Sequence, residues 1–183
     1  MATRKRRPTQ ALLLVDFINR FDFERGAMLG RRAIRAARNA ARLKAALTAK
    51  GVPCIYANDN FGNWRSEFSA LVEECLASDG PGREVAGLLR PTPQDLSVLK
   101  PRHSAFYGTP LEFLLDELGT RKLVIAGIAL DMCVVATAQD AHVRKYELVI
   151  PSNCSAGFSP HEEKEALSLL TRTMRADTRR FQG

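Results

Sequence analysis

Five short apolar runs recur along the chain, separated by segments with a different rhythm. Ala11–Val15, Val52–Ala57, Leu96–Leu99, Leu123–Gly127 and Tyr146–Ile150 read as strands, and the continuous runs among them read as buried on both faces. Between the first two, Arg32–Lys50 predicts a helix whose Ala36, Ala40, Leu43 and Leu47 form an inward stripe. Gly51 stops it. Further helices are expected from about Ser66 to Ala77, in a short piece reaching Leu89, and from near Cys133 to about Arg144. Two more are marked by the same start signal. Thr109-Pro110 and Ser159-Pro160 each place a hydroxyl at the cap and proline at the first helical position, and Glu112 or Glu162 falls three residues after the cap. Phe17–Gly30 and Asn58–Trp64 read as loops. This alternation predicts an α/β chain: a Rossmann-like, doubly wound, mainly parallel sheet flanked by helices on both faces. Such sheets bind ligands outside the carboxyl ends of their strands.

Length and composition fit that picture. A chain of 183 residues is one domain with a real core, here 11–171, with basic tails at 1–10 and 172–183. No apolar run approaches the ~20 residues of a membrane span, and none resembles a secretory leader, so no membrane partner and a cytoplasmic location are expected. Cys54, Cys75, Cys133 and Cys154 form no C-x-x-C pair and read as free thiols. The net charge of +7 points toward polyanions until it is located. Arg4, Lys5, Arg6 and Arg7, and then Arg172, Arg175, Arg179 and Arg180, lie in the tails; the body between is balanced. Arg31, Arg35, Arg38 and Arg42 make a basic stripe along the first helix, read as a solvated face, so no nucleic-acid partner is expected.

Candidate chemistry stands at the strand ends. Asp16 follows the first strand, Lys100 the third, and Cys133 lies where the fourth turns into a helix. Unpaired N–H groups and the positive end of the helix dipole at such a turn favour thiolate over thiol. Each residue alone has a plain explanation: a small buried hydrophobe, a turn cap, a loop lysine. Together they make a set in which Asp16 takes the thiol proton and Lys100 supports both anions.

Three motifs in this order resemble a known family. They are Leu-Leu-Leu-Val-Asp16-Phe, Lys100-Pro-Arg-His-Ser-Ala-Phe-Tyr-Gly-Thr109-Pro-Leu, and Ala-Gly127-Ile-Ala-Leu-Asp131-Met-Cys133-Val with Thr137-Ala-Gln-Asp140-Ala. The chain resembles the isochorismatase-like cysteine hydrolases, the superfamily of nicotinamidases and N-carbamoylsarcosine amidase, over roughly residues 11–170. The resemblance implies a triad of Asp16, Lys100 and Cys133, and a cis peptide between Ile128 and Ala129. It also implies an oxyanion hole from the N–H groups of Ala129 and Cys133. It implies C–N hydrolysis of a small amide or ureido compound through a Cys133 thioester, and a homo-oligomer, dimer or tetramer. Leu130 stands where the family commonly has threonine. Nicotinamidases of the family hold a metal through an Asp-x-His arrangement after the second strand. Asp59-Asn60-Phe61 stands there instead, and the first histidine is His103. No metal and no cofactor are therefore expected, and Asp59 reads as a turn or hydrogen-bonding residue.

The pocket wall is expected from loop aromatics: Phe17, Phe21, Phe61, Trp64 and Tyr107. His103 reads as a surface histidine, with substrate contact as its other reading; His142 and His161 read as structural. Two alternatives to the amidohydrolase stand. One is vinyl-ether hydrolysis of the isochorismatase type, against which Cys133 argues. The other is a non-catalytic protein binding polyanions through its tails. A dinucleotide enzyme has no support, since neither G-x-G-x-x-G nor a P-loop occurs.

Overall fold

The computed structural model describes residues 9–65 and 67–183. The basic residues at 4–7, and Ser66 as a helix start, lie outside the described residues. Five parallel strands form one sheet in the order β3-β2-β1-β4-β5. They are β1 (Gln10–Val15), β2 (Cys54–Asp59), β3 (Leu96–Lys100), β4 (Lys122–Gly127) and β5 (Glu147–Val149). Six α-helices connect and cover them: α1 (Gly26–Thr48), α2 (Phe68–Ala77), α3 (Pro81–Leu88), α4 (Leu111–Glu117), α5 (Val135–Val143) and α6 (Pro160–Met174).

Alternation along the strands divides the core in two. Leu12, Leu14, Tyr56 and Val124 face α1, α2 and α3, whereas Ala11, Leu13, Val15, Ile55 and Ile125 face α4, α5 and α6. The chain order changes direction between β1 and β4, so their carboxyl ends flank the crevice where such sheets bind ligands.

Several boundaries differ from the sequence reading, each for a local reason. Helix α1 begins at Gly26 rather than Arg32. Gly26 and Gly30 looked like loop residues, but they mark close approaches. A Cβ on Gly26 would stand 2.2 Å from the Phe21 carbonyl oxygen, and one on Gly30 2.6 Å from Pro81 Cβ. The Thr109 capping box does not form: its hydroxyl accepts from Leu111 N at 3.2 Å and donates to the Ala105 carbonyl at 2.6 Å. Glu112 instead pairs with Arg144 at 2.9 Å, tying α4 to the end of α5. Ser159 does cap α6, accepting from Glu162 N at 3.2 Å.

The segment 172–183 is not a free tail. It starts inside α6, and Ala176 is buried. Asp177 then bridges to Val149 in parallel register, accepting from Ile150 N at 2.8 Å and donating to the Leu148 carbonyl at 2.9 Å. The Asn153 amide clasps the backbone of Phe181 in both directions, at 2.8 and 3.1 Å. These contacts cover the edge of β5, an edge that would otherwise be free to pair with another chain.

Candidate active site

Asp16 is the first residue beyond β1 and adopts φ 52°, so its carboxylate turns across the end of the sheet. The buried Asn58 amide fixes the chain just beyond it, accepting from Ile18 N at 3.1 Å and donating to the Ile18 carbonyl at 2.9 Å. One Asp16 oxygen accepts from Asp59 N at 2.7 Å, and the other meets Lys100 Nζ at 2.8 Å. Lys100, the last residue of β3, has 0% of its surface exposed. Its ammonium also donates to the Arg102 carbonyl at 3.0 Å and stands 3.7 Å from Cys133 Sγ. Asp59 Oδ2 lies 3.8 Å away.

Cys133 sits in a π-turn, Leu130–Val134, that opens into α5. The Asp16 carboxylate lies near enough to the Cys133 thiol for each to perturb the other's ionisation. The peptide between Ile128 and Ala129 is cis. The Ala129 carbonyl accepts from Met132 N at 3.1 Å and Val134 N at 3.2 Å, which holds the turn closed around the cysteine. Gly127, two residues before Ala129, is required by packing: a Cβ there would stand 2.4 Å from the Val15 carbonyl oxygen. The loop after Lys100 is held to α5 by Ser104, whose hydroxyl donates to Asp140 at 2.5 Å, and by Ala105 N, which donates to the Thr137 hydroxyl at 3.0 Å.

Burial dominates the electrostatics. It pushes the Asp16 carboxyl above the usual carboxylate range, with Lys100 and the Cys133 hydrogen bond opposing. Burial pulls the Lys100 ammonium down, but Asp16, Cys133 and Asp59 more than offset this and hold it above its usual value. The Cys133 thiol is pushed up by burial and by Asp16, with Lys100 only partly compensating. Both influences favour the thiol form of the sulfur. Desolvation and the neighbouring carboxylate both act against the thiolate expected from the helix start. A raised Asp16 is a stronger base than an ordinary aspartate, and it shares the floor of one cleft with the thiol whose proton it would take.

A cleft of about 350 Å³ opens above this group. Asp16, Asp59, Ile128, Ala129 and Cys133 make its floor, and Phe23, Leu29, Phe61, Met132 and Phe158 its largely apolar wall. Of the five aromatics expected there, Phe61 alone lines it. Phe17 (1% exposed) and Phe21 are packed in the core against α1, because that helix starts earlier than its sequence suggested. Trp64 and Tyr107 are 81% and 64% exposed and do not line the cleft. Phe23 and Phe158 take their place, meeting edge to face at 6.4 Å, with the Arg25 guanidinium 4.5 Å over the Phe158 ring. Phe158 was legible in principle. It follows the fifth strand on the side where parallel sheets bind ligands, just ahead of a marked helix start. His103 is exposed but also lines the cleft, with Nδ1 3.6 Å from Cys133 Sγ, so its plain surface reading does not hold. Asp59 Oδ1 accepts from Phe61 N at 2.6 Å, the turn role expected of it. Among the described residues, no three His, Cys, Asp or Glu side chains are grouped as a metal site.

Comparison with known proteins agrees with this fold. The isochorismatase domain family model matches residues 10–178. The chain is 34% identical over 168 residues to the isochorismatase family protein YaaI of Bacillus subtilis, covering 92% of each. The fold superposes on N-carbamoylsarcosine amidase from Thermoplasma acidophilum with a TM-score of 0.74 and 26% identity, over 96% of this chain and 100% of that one. It superposes on the nicotinamidase/pyrazinamidase PncA from Bacillus subtilis with a TM-score of 0.75 and 26% identity, over 94% and 100%.

Proposed function

From the premise that the chain belongs to the isochorismatase family of hydrolases, we propose that it cleaves the C–N bond of a small amide or ureido-type substrate, with Cys133 as nucleophile. Asp16 accepts the thiol proton as sulfur attacks the carbonyl carbon, so the costly thiolate need not accumulate beforehand. The N–H groups of Ala129 and Cys133 donate to the oxyanion of the tetrahedral intermediate; a donor of this kind contributes about 3 kcal/mol. Asp16 returns its proton to the leaving nitrogen as the C–N bond breaks, which leaves a thioester on Cys133 and releases ammonia or an amine. Water, deprotonated by Asp16, then attacks the thioester; the C–S bond breaks, the thiol regains a proton and a carboxylic acid departs. Lys100 keeps the buried carboxylate in place and balances the negative charge as it moves between oxygen and sulfur.

The observation that carries this reading is one buried ammonium that stands 3.7 Å from the Cys133 sulfur and 2.8 Å from the Asp16 carboxylate, with sulfur and carboxylate both on the floor of an open cleft. The test is an ammonia-release screen over small neutral and ureido amides, with wild type and Cys133→Ala side by side. Turnover should fall at least about a thousandfold in the variant. Ammonia release that persists without the sulfur would end the nucleophile assignment. Isochorismate turnover independent of Cys133 would move the reading to vinyl-ether hydrolysis.

A further inference from the structure

On the α1 side of the sheet, away from the cleft, a second hollow of about 240 Å³ lies between α1, the 152–156 segment and the C-terminal segment. Three arginines line it: Arg32 and Arg35 from α1, and Arg180 from the far end of the chain. One of the three is neutralised. Arg32 grips Glu163 at 2.6 Å, and Glu163 uses its other oxygen on Gly157 N at 2.9 Å. Arg35 and Arg180 have no carboxylate within ion-pair distance among the described residues. Of the arginines beside them, Arg38 meets Glu84 at 2.7 Å and Arg179 meets Asp177 at 2.5 Å. The hollow is thus bordered by two exposed arginines without an ion-pair partner among the described residues. Its floor carries Ser152 and the buried Ser155. Ser155 Oγ accepts from Gly127 N at 3.0 Å, which leaves its own proton to donate.

We propose that this hollow is a binding site for the phosphate group of a small molecule. Two guanidinium forks supply paired, charge-assisted donors suited to a tetrahedral dianion, and the serine hydroxyl supplies a third direction. The hollow, at about 240 Å³, admits a phosphate monoester and is bordered at one side by Arg180 of the C-terminal segment, a size that suits a terminal phosphate rather than an extended polyanion backbone. Its floor also adjoins the catalytic turn. Ala156 N donates to the Gly127 carbonyl at 3.2 Å, and the Ala156 carbonyl accepts from Leu130 N at 2.8 Å. An anion on Ser155 therefore stiffens the backbone that leads into Ile128 and Ala129.

The test is calorimetric titration of inorganic phosphate, and separately of phenyl phosphate, into the full chain at low ionic strength with chloride matched. Saturable binding is expected for both. Arg35→Gln/Arg180→Gln should weaken it at least about tenfold. Arg31→Gln/Arg38→Gln removes the same charge from the same helix outside the hollow and should leave it within about twofold. All four side chains are exposed, so the variants should keep the wild-type unfolding midpoint. No saturable heat, or equal weakening in both double variants, overturns the site. Displacement of phosphate by an oligonucleotide lacking terminal phosphates overturns its assignment to small molecules. The measurement reads binding alone and does not depend on whether the cleft hydrolyses amides.

Discussion

The floor and the rim of the cleft are made of different material. Asp16 directly follows β1, Lys100 ends β3 and Cys133 lies in the turn after β4, so hydrogen bonds between parallel strands set their separations. Phe23, Phe61, His103 and Phe158 are carried by loops, and only side-chain packing sets theirs. The floor holds the buried Asp16–Lys100 ion pair; the rim is half-open and largely apolar. A site built this way fixes its chemistry rigidly and leaves its choice of substrate to segments that tolerate change.

Removing the floor's cation should have the largest effect. Lys100→Ala leaves the Asp16 carboxylate buried without its ion pair, a change that costs about 3–5 kcal/mol, and should abolish turnover. The pH dependence has a definite sign. A folded-state pKa above the unfolded value means that the native state holds its proton more tightly, so stability from this group is present at low pH and lost as pH rises through the folded value. The deficit of Lys100→Ala in urea midpoint should therefore shrink as the buffer is taken from about pH 8 to about pH 5. The double variant Asp16→Leu/Lys100→Met should recover much of the stability and none of the activity. Equal midpoints for wild type and Lys100→Ala would break the contrast between floor and rim.

Two glycines compare the regions more gently. Gly127→Ala drives a methyl into the Val15 backbone, 2.4 Å from its oxygen, and should cost about 1–3 kcal/mol in denaturant unfolding. Gly62 stands beside Phe61 with φ 71° and open space around it. Gly62→Ala should cost about 1 kcal/mol, from backbone conformation alone. A reversed order would mean that the floor yields more easily than the rim.

The resting state of the sulfur can be read by alkylation. With the thiol pKa raised above 9.0, the iodoacetamide rate at Cys133 should climb about tenfold per pH unit through neutrality, with no plateau below pH 9. Asp16→Asn removes the negative neighbour that raises the thiol, so labelling should be several-fold faster at a given pH, about what one charge in contact gives. A plateau near neutral pH would restore the thiolate expected from the helix start.

Legibility in the sequence followed the same division. Continuous apolar runs announced the strands, and a parallel sheet puts whatever follows its strands on one edge, so Asp16, Lys100 and Cys133 could be grouped before any coordinates. Distances along the chain do not matter to that argument. The rim could not be read this way. Phe17 and Phe21 share a loop with Phe23, but which of them faces the cleft depends on α1 beginning at Gly26, and that start is set by close packing on Phe21 and Pro81. Charge misled for a related reason. Residues 172–183 look like a solubilising tail by composition, whereas Ala176, Asp177 and Phe181 make ordered contacts along β5. The raised thiol also escaped the sequence reading, since desolvation depends on how much protein surrounds the sulfur.

The smallest effects should lie on the rim, and their form matters more than their size. Phe61 lines the cleft but is 46% exposed, so truncation removes only part of a ring's worth of contact, about 1 kcal/mol. For any amide that the ammonia-release screen identifies, Phe61→Ala should raise KM by up to about tenfold and leave kcat nearly unchanged. That pattern belongs to a contact made equally in the ground and transition states. Trp64→Ala removes a larger ring three residues away that does not line the cleft, and should change neither constant. A fall in kcat for Phe61→Ala at constant KM would show that the rim helps to place the carbonyl over the sulfur, and the division between a rigid chemical floor and an adjustable binding rim would then have to be redrawn.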